Sequence, residues 1–260
     1  MMKVINAQSG WTWVKQGFVL FRKRPMELLS LFFLWMMLTQ LLRFIPVAGQ
    51  FLTLFLFPVF SVGFMQACRY LENEQKITPG LLFTGFQSPH AAALLGSGLL
   101  RIAALFFTYW FSNLINDEAL SEFMKAAAKT GPMDAGSLEK ALPVKAILLT
   151  VLIYIPFAMA FWYSVPLIAW QRMTLIKSMF YSFFAVLHSW KAFLVYFLAW
   201  YGLSILVSPL AIIFLGFDIN IGVMLLTVMS FIIFVIVYCS SYPTYTDVFG
   251  KPDEDNQAAV

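Results

Sequence analysis

GFVLFRKRPMELLSLFFLW, residues 17–35, sets three consecutive cations, Arg22, Lys23 and Arg24, against a greasy run. SFFAVLHSWKAFLVYFLAW, residues 182–200, repeats that junction near the other end of the chain, with His188 and Lys191 at its polar break. A helix needs about 20 mainly apolar residues to cross hydrocarbon, and cations flanking such a run sit at head-group level. Both stretches therefore read as a membrane edge leading into a span.

Composition gives the same class. Of 260 residues, 61% are hydrophobic and 12% charged, and mean hydropathy is +0.80. Too few polar groups remain to cover a water-soluble globule. The net charge is +4, but the cations are scattered at the ends of apolar runs and not gathered on one face, which argues against nucleic acid as a partner. Cys68 and Cys239 have no CxxC spacing and no histidine cluster beside them. They read as buried, reduced thiols, with no metal site and no cofactor implied.

Charge-poor stretches mark six spans at about 26–42, 50–68, 91–115, 146–170, 192–214 and 221–241. Pro46 and Gly49 break the chain between the first two. Asp218 and Asn220 belong in water between the last two. The first 21 residues carry Lys3, Lys15 and two tryptophans in place of a cleavable leader, so the first span is expected to direct insertion.

Spans one, three and five are each preceded by a segment apolar enough to touch lipid and too interrupted to cross it. In the first, Trp11, Val14, Phe18 and Phe21 share a helical stripe, with Thr12, Lys15, Gln16 and Lys23 elsewhere on the wheel. In the third, residues 172–188, Thr174, Ser178, Ser182 and Ala185 form a polar stripe, expected to face water, and Met173, Ile176, Phe180, Phe183, Phe184 and Leu187 lie opposite. The middle copy is short: Thr78 caps and Pro79 starts a helix bearing Leu81, Leu82, Phe83 and Phe86. The predicted fold is an all-α polytopic membrane protein of six transmembrane helices plus interfacial amphipathic helices. It is arranged as three parallel repeats, 11–71, 78–170 and 172–247, within one membrane domain, 1–247, ahead of a polar tail, 248–260. The expected interface anchors are Trp11, Trp13, Arg22, Lys23, Arg24, Arg172, Lys177, Trp190 and Lys191, where aromatic rings and cations meet the head groups.

Several short motifs carry a resemblance over nearly the whole chain: Gly10-Trp-x-Trp13, the LFRKRP run at 20–25, Ala67-Cys-Arg69, Leu82-Phe-Thr-Gly-Phe86 and Tyr245-Thr-Asp-Val-Phe249. Together they resemble an uncharacterised family of multi-pass proteobacterial inner-membrane proteins, and more distantly the membrane domain attached to some glycerophosphodiester phosphodiesterases. The resemblance implies a bacterial inner-membrane location and the six-span plan. It brings no catalytic residue, because the phosphodiesterases' soluble catalytic domain has no counterpart here.

Arg101, ten residues into span three, is the one intramembrane cation. It is expected either to snorkel or bond carbonyls as a structural group, or to mark a functional site. Its possible partners are Glu27 and Asp247 at one membrane face, Asp117 and Glu118 at the other, or the oxygens of a sulfate, a phosphate or an anionic head group, which suit the guanidinium fork. Gly96 and Gly98 lack the setting of a nucleotide loop and read as small residues that admit a neighbouring helix. His90 and His188 have no carboxylate or second histidine beside them. Tyr109, Tyr154, Tyr163 and Ser164 are too ordinary to nominate as catalytic groups. The favoured function is a non-enzymatic scaffold, or a protein engaging membrane lipids or a membrane-protein partner; the alternative is a small-solute transporter with a pathway near Arg101.

Eleven Lys and Arg residues fall on the side of both termini and five on the other, four of them in the loop 116–143 or beside it. Cations favour the cytoplasm, so both termini are predicted cytoplasmic. Reporter fusions should be active in the periplasm at residue 130 and inactive at residues 75 and 255; activity at 255 would require an odd number of spans.

Overall fold

A computed structural model describes residues 5–46, 48–115, 143–217 and 219–252. The predicted loop 116–143, apart from Pro143, and the last eight residues of the tail lie outside them, as do Asp117, Glu118 and Asp218. The described chain is all helix: α1 (Gln8–Lys23), α2 (Pro25–Arg43), α3 (Ala48–Glu72), a 3-10 turn (Pro79–Phe83), α4 (Thr84–Gln87), α5 (Ala91–Ile115), α6 (Val144–Trp162), α7 (Ser164–Gln171), α8 (Leu175–His188), α9 (Trp190–Phe217) and α10 (Ile219–Phe249). Pro25 starts α2 and Pro79 starts the 3-10 turn; in both places the missing N–H is one that the first turn leaves unbonded anyway.

Among the described residues, five stretches are long and apolar enough to cross a membrane: α2, α3, α5, Val144–Gln171 (α6 with α7) and Ile221–Phe249. A sixth arises if Leu175–His188 and Trp190–Leu206, bent by 78° at Ser189, form one span. This agrees with a polytopic membrane protein of about five or six long apolar helices. α3 is the central post, packed against α2, α5, α10 and the 3-10 turn. The last helix runs to Phe249, past the predicted end at 241, and carries Pro243 inside it.

α1 packs along both α9 and α10. Its buried residues are Gly10, Trp13, Val14, Gly17 and Leu20, a face one residue out of step with the predicted stripe. Two glycines set that face. A Cβ on Gly10 would overlap the Ala192 carbonyl, and one on Gly17 would run into Ser240. Glycine contributes nothing to a hydropathy pattern, so the closest approach of this helix was invisible to the stripe.

α8 also turns the other way from its prediction. Ser178, Ser182 and Ala185 are buried, whereas Ile176 is 79% exposed and Phe180 60%. The hydroxyls are internal fasteners and not a wet surface: Ser178 Oγ donates to the Leu175 carbonyl at 2.7 Å and Ser182 Oγ to the Met159 carbonyl of α6 at 2.7 Å. Small hydroxyl residues admit a neighbouring helix and supply the hydrogen bonds that hydrocarbon cannot.

Gly98 shows the same economy at the α3–α5 crossing, where a Cβ would overlap the Phe55 carbonyl. Gly96, read with it in the sequence, meets only a terminal methyl of Leu175. Gly98→Ala must push α5 off α3 and should cost about 1–3 kcal/mol, as overpacking does. Gly202→Ala, with nothing near the added methyl, should leave thermal unfolding in detergent unchanged; equal melting points for the two variants would refute the crossing.

Candidate functional site

The span read as continuous from 146 to 170 is broken at Tyr163, and the break builds the site. In an unbroken helix the Tyr163 amide would donate to the Met159 carbonyl. Instead it donates to Ser182 Oγ at 2.8 Å, and that hydroxyl passes its own hydrogen to Met159. A side chain is thus spliced into the backbone ladder, one of the recognised causes of a helix bend. Pro166, which has no N–H, leaves the Trp162 carbonyl without its usual donor one turn on. Ser164 Oγ donates to the Phe161 carbonyl at 3.0 Å.

Arg101 reaches into this break from α5. Its Nη2 donates to the same Phe161 carbonyl at 3.0 Å, and its guanidinium lies over the rings of Phe161 at 4.7 Å and Phe57 at 5.5 Å. The carbonyl belongs to the last turn of α6, the negative end of that helix's dipole. A guanidinium at mid-membrane costs about 3 kcal/mol on insertion scales. One charge-assisted hydrogen bond of about 1.5–3 kcal/mol and two ring contacts of about 0.5–2 kcal/mol each offset it without an acid.

None of the carboxylates considered from sequence is its partner among the described residues. Glu27 accepts from Arg24 at 2.7 Å and from the Ile77 amide at 2.9 Å, while Asp247 accepts from Trp13 Nε1 at 3.0 Å. A carbonyl was among the partners expected from sequence, but which one was not legible there: a carbonyl exposed by a helix break has no signature beyond Pro166.

Arg101 opens onto a cavity of about 270 Å³ between α3, α5, α6, α7, α9 and α10. Besides Arg101 its polar lining is Ser61, Tyr154, Tyr163, Tyr196, Tyr238 and Ser241, and among the described residues no carboxylate lines it. Several of these are already engaged: Tyr238 OH donates to Ser61 Oγ at 2.9 Å, Tyr163 OH to the Thr244 carbonyl at 3.2 Å, and Tyr196 OH shares a hydrogen bond with Ser240. Tyr154, unremarkable in sequence, becomes notable only through this neighbourhood. Among the described residues, no group of three or more His, Cys, Asp or Glu side chains is placed to hold a metal.

The expected anchors divide. Trp11 is half-exposed with Lys15 over its ring, Lys191 lies over the exposed Trp190, Lys177 lies over Tyr181, and Arg22 and Arg172 are exposed. Lys23 and Arg24 bond within the fold, Lys23 Nζ to the Leu71 carbonyl at 2.9 Å and Arg24 to Glu27. Trp13 is not an anchor: at 1% exposure it packs edge-on to Phe193 and Tyr196. Its indole N–H finds an acid inside the fold, Asp247, as a buried tryptophan requires.

The motifs carrying the family resemblance converge on the end of the bundle that holds both termini, where they hold helices together. From these motifs Arg69 Nη2 donates to the Pro252 carbonyl at 3.2 Å, Trp13 bonds to Asp247 and Lys23 to the Leu71 carbonyl; beside them Tyr242 OH donates to Glu72 at 2.8 Å and Lys251 pairs with Glu72 at 2.6 Å. Helices of this length and apolarity, with a site made of one cation, hydroxyls and rings, define a multi-pass membrane protein. The chain belongs to a family of proteobacterial multi-pass inner-membrane proteins of uncharacterised activity: it is 32% identical over 253 residues, 95% of its length and 93% of the relative's, to the probable inner membrane protein BTH_II0599 of Burkholderia thailandensis. No family model and no solved structure matches it, and the distant likeness to phosphodiesterase membrane domains gains no support from these comparisons.

Ser182→Ala strands the Tyr163 amide and the Met159 carbonyl and should cost about 1–3 kcal/mol, read as a lower melting temperature in detergent. Ser204→Ala, which removes only a bond to its own helix at Trp200, is the control. Equal melting of the two would show that the break closes on itself without Ser182.

Proposed function

We propose that this inner-membrane protein is non-enzymatic and works by binding, as a scaffold that engages membrane lipid and through it, or beside it, other membrane proteins. The observation that carries this reading is α8. Its Ser182 hydroxyl is spent on α6 and its Ser178 hydroxyl on its own backbone, and its outward face is Ile176, Phe180, Phe184 and Leu187, an apolar surface that suits acyl chains or an apolar partner helix better than water. Trp11 with Lys15 and Trp190 with Lys191 place aromatic and cationic pairs where anionic head groups would sit. The orientation with both termini cytoplasmic, the domain limits and the three parallel repeat units belong to the same proposal.

A second reading, a small-solute transporter, is favoured by one observation, the cavity beside Arg101. It ranks lower because, among the described residues, the lining supplies no second charge with which to couple movement. Purified protein in liposomes separates the two. Under the binding reading, Arg101→Met lowers the melting temperature and the anionic lipid retained through purification, and solute flux stays at the level of protein-free vesicles. Flux that needs Arg101, in a variant of unchanged stability, would establish the transporter instead.

A further inference from the structure

The cavity gathers free hydrogen-bond donors beside a charge. Arg101 Nε is buried and has no partner among the described residues. Tyr154 OH lines the same cavity and makes no hydrogen bond among them. Ser61 Oγ accepts from Tyr238, which leaves its own hydrogen to give. These unused donors are gathered about a fixed positive charge, and among the described residues no lining residue is acidic. In a low-dielectric site such a set lacks one thing, an anionic acceptor of several hydrogen bonds.

The size and depth of the cavity fit that acceptor. At about 270 Å³ it has the volume of roughly nine waters at ~30 Å³ each, room for a phosphate- or carboxylate-sized group with some hydration. Arg101 stands about 15 Å along α5 from Ala91, at 1.5 Å per residue. Tyr196 lies near the start of α9, and Ser241 falls in the last third of α10. The cavity therefore runs from mid-bundle, where Tyr154 and Phe57 lie, toward the face nearer the termini. Aromatic walls from Phe57, Phe161 and Trp162 would take the apolar body of an amphiphile as readily as they would exclude competing water.

We propose that this cavity is an oxyanion-binding site, in which Arg101 Nε, Tyr154 OH and Ser61 OH hold a phosphate or carboxylate group while Arg101 Nη2 stays on the Phe161 carbonyl. The proposal rests on the reading of the protein as a binder and deepens it. The oxyanion comes either from a lipid head group or from a soluble anion.

The test uses the full chain in nanodiscs. One arm compares phosphatidylcholine discs with discs containing phosphatidylglycerol; the other titrates inorganic phosphate into phosphatidylcholine discs against chloride at matched ionic strength. Thermal unfolding reads both. The parent should be stabilised in at least one arm, by phosphatidylglycerol alone if the ligand is a head group and by inorganic phosphate if it is a solute. Tyr154→Phe removes a hydroxyl the fold does not use, so it should melt normally without ligand and bind about tenfold more weakly; Arg101→Gln should lose the response. Should Arg101→Gln fail to fold, Tyr154→Phe decides alone. No stabilisation in either arm, or parent-like binding by Tyr154→Phe, overturns the site and leaves the lipid-contact reading standing. Arg101-dependent flux in liposomes overturns that reading and leaves the site standing.

Discussion

The splice at Tyr163 is the constraint on which much of the fold turns. Inside hydrocarbon a backbone group freed from its helix finds no water, so a break in a span survives only where protein supplies each missing partner. Here Ser182 supplies two, and Ser164 and Arg101 converge on the Phe161 carbonyl. Those demands fix the placement of two other helices. α8 must lie close enough for its hydroxyl face to enter α6, which sends its phenylalanines outward, and α5 must bring a cation to the end of the α6 dipole. The cavity is the space left where these requirements meet.

At the end of the bundle holding the termini, polar groups serve the same purpose between segments far apart in sequence. Lys23 reaches the end of α3, Tyr242 and Lys251 meet on Glu72, Gln171 donates to Tyr245, and Trp13 reaches Asp247. Around them rings pack edge to face, as Trp170 does against Tyr242 and Tyr245. Motifs that looked like a signature are therefore joints between helices.

Span positions were legible because apolar length is a summed property that single residues hardly disturb. α5 occupies the predicted limits, and α2 and α3 differ from theirs by a few residues. What hydropathy misread were faces. For α8 it treated Ser178 and Ser182 as water-seeking, although in a membrane protein a hydroxyl inside is cheaper than one against lipid. For α1 it missed Gly10 and Gly17, whose contribution is the absence of a side chain. Trp13 was grouped with Trp11 because both are tryptophans near cations, and only the partner Asp247, far along the chain, separates them. Arg101 stood out in the sequence as an isolated cation for which a carbonyl was one expected partner, but which carbonyl it meets, Tyr154 and the cavity are products of tertiary packing that no local pattern encodes.

The Trp13–Asp247 hydrogen bond joins the first helix to the end of the last. On a ribosome that makes the chain from its N-terminus, α1 emerges long before α9 and α10 exist to receive it, and its buried face has no seat in the meantime. The bond therefore closes only after the chain has been made as far as Asp247, and α1 must stay available to the helices that bury it until then.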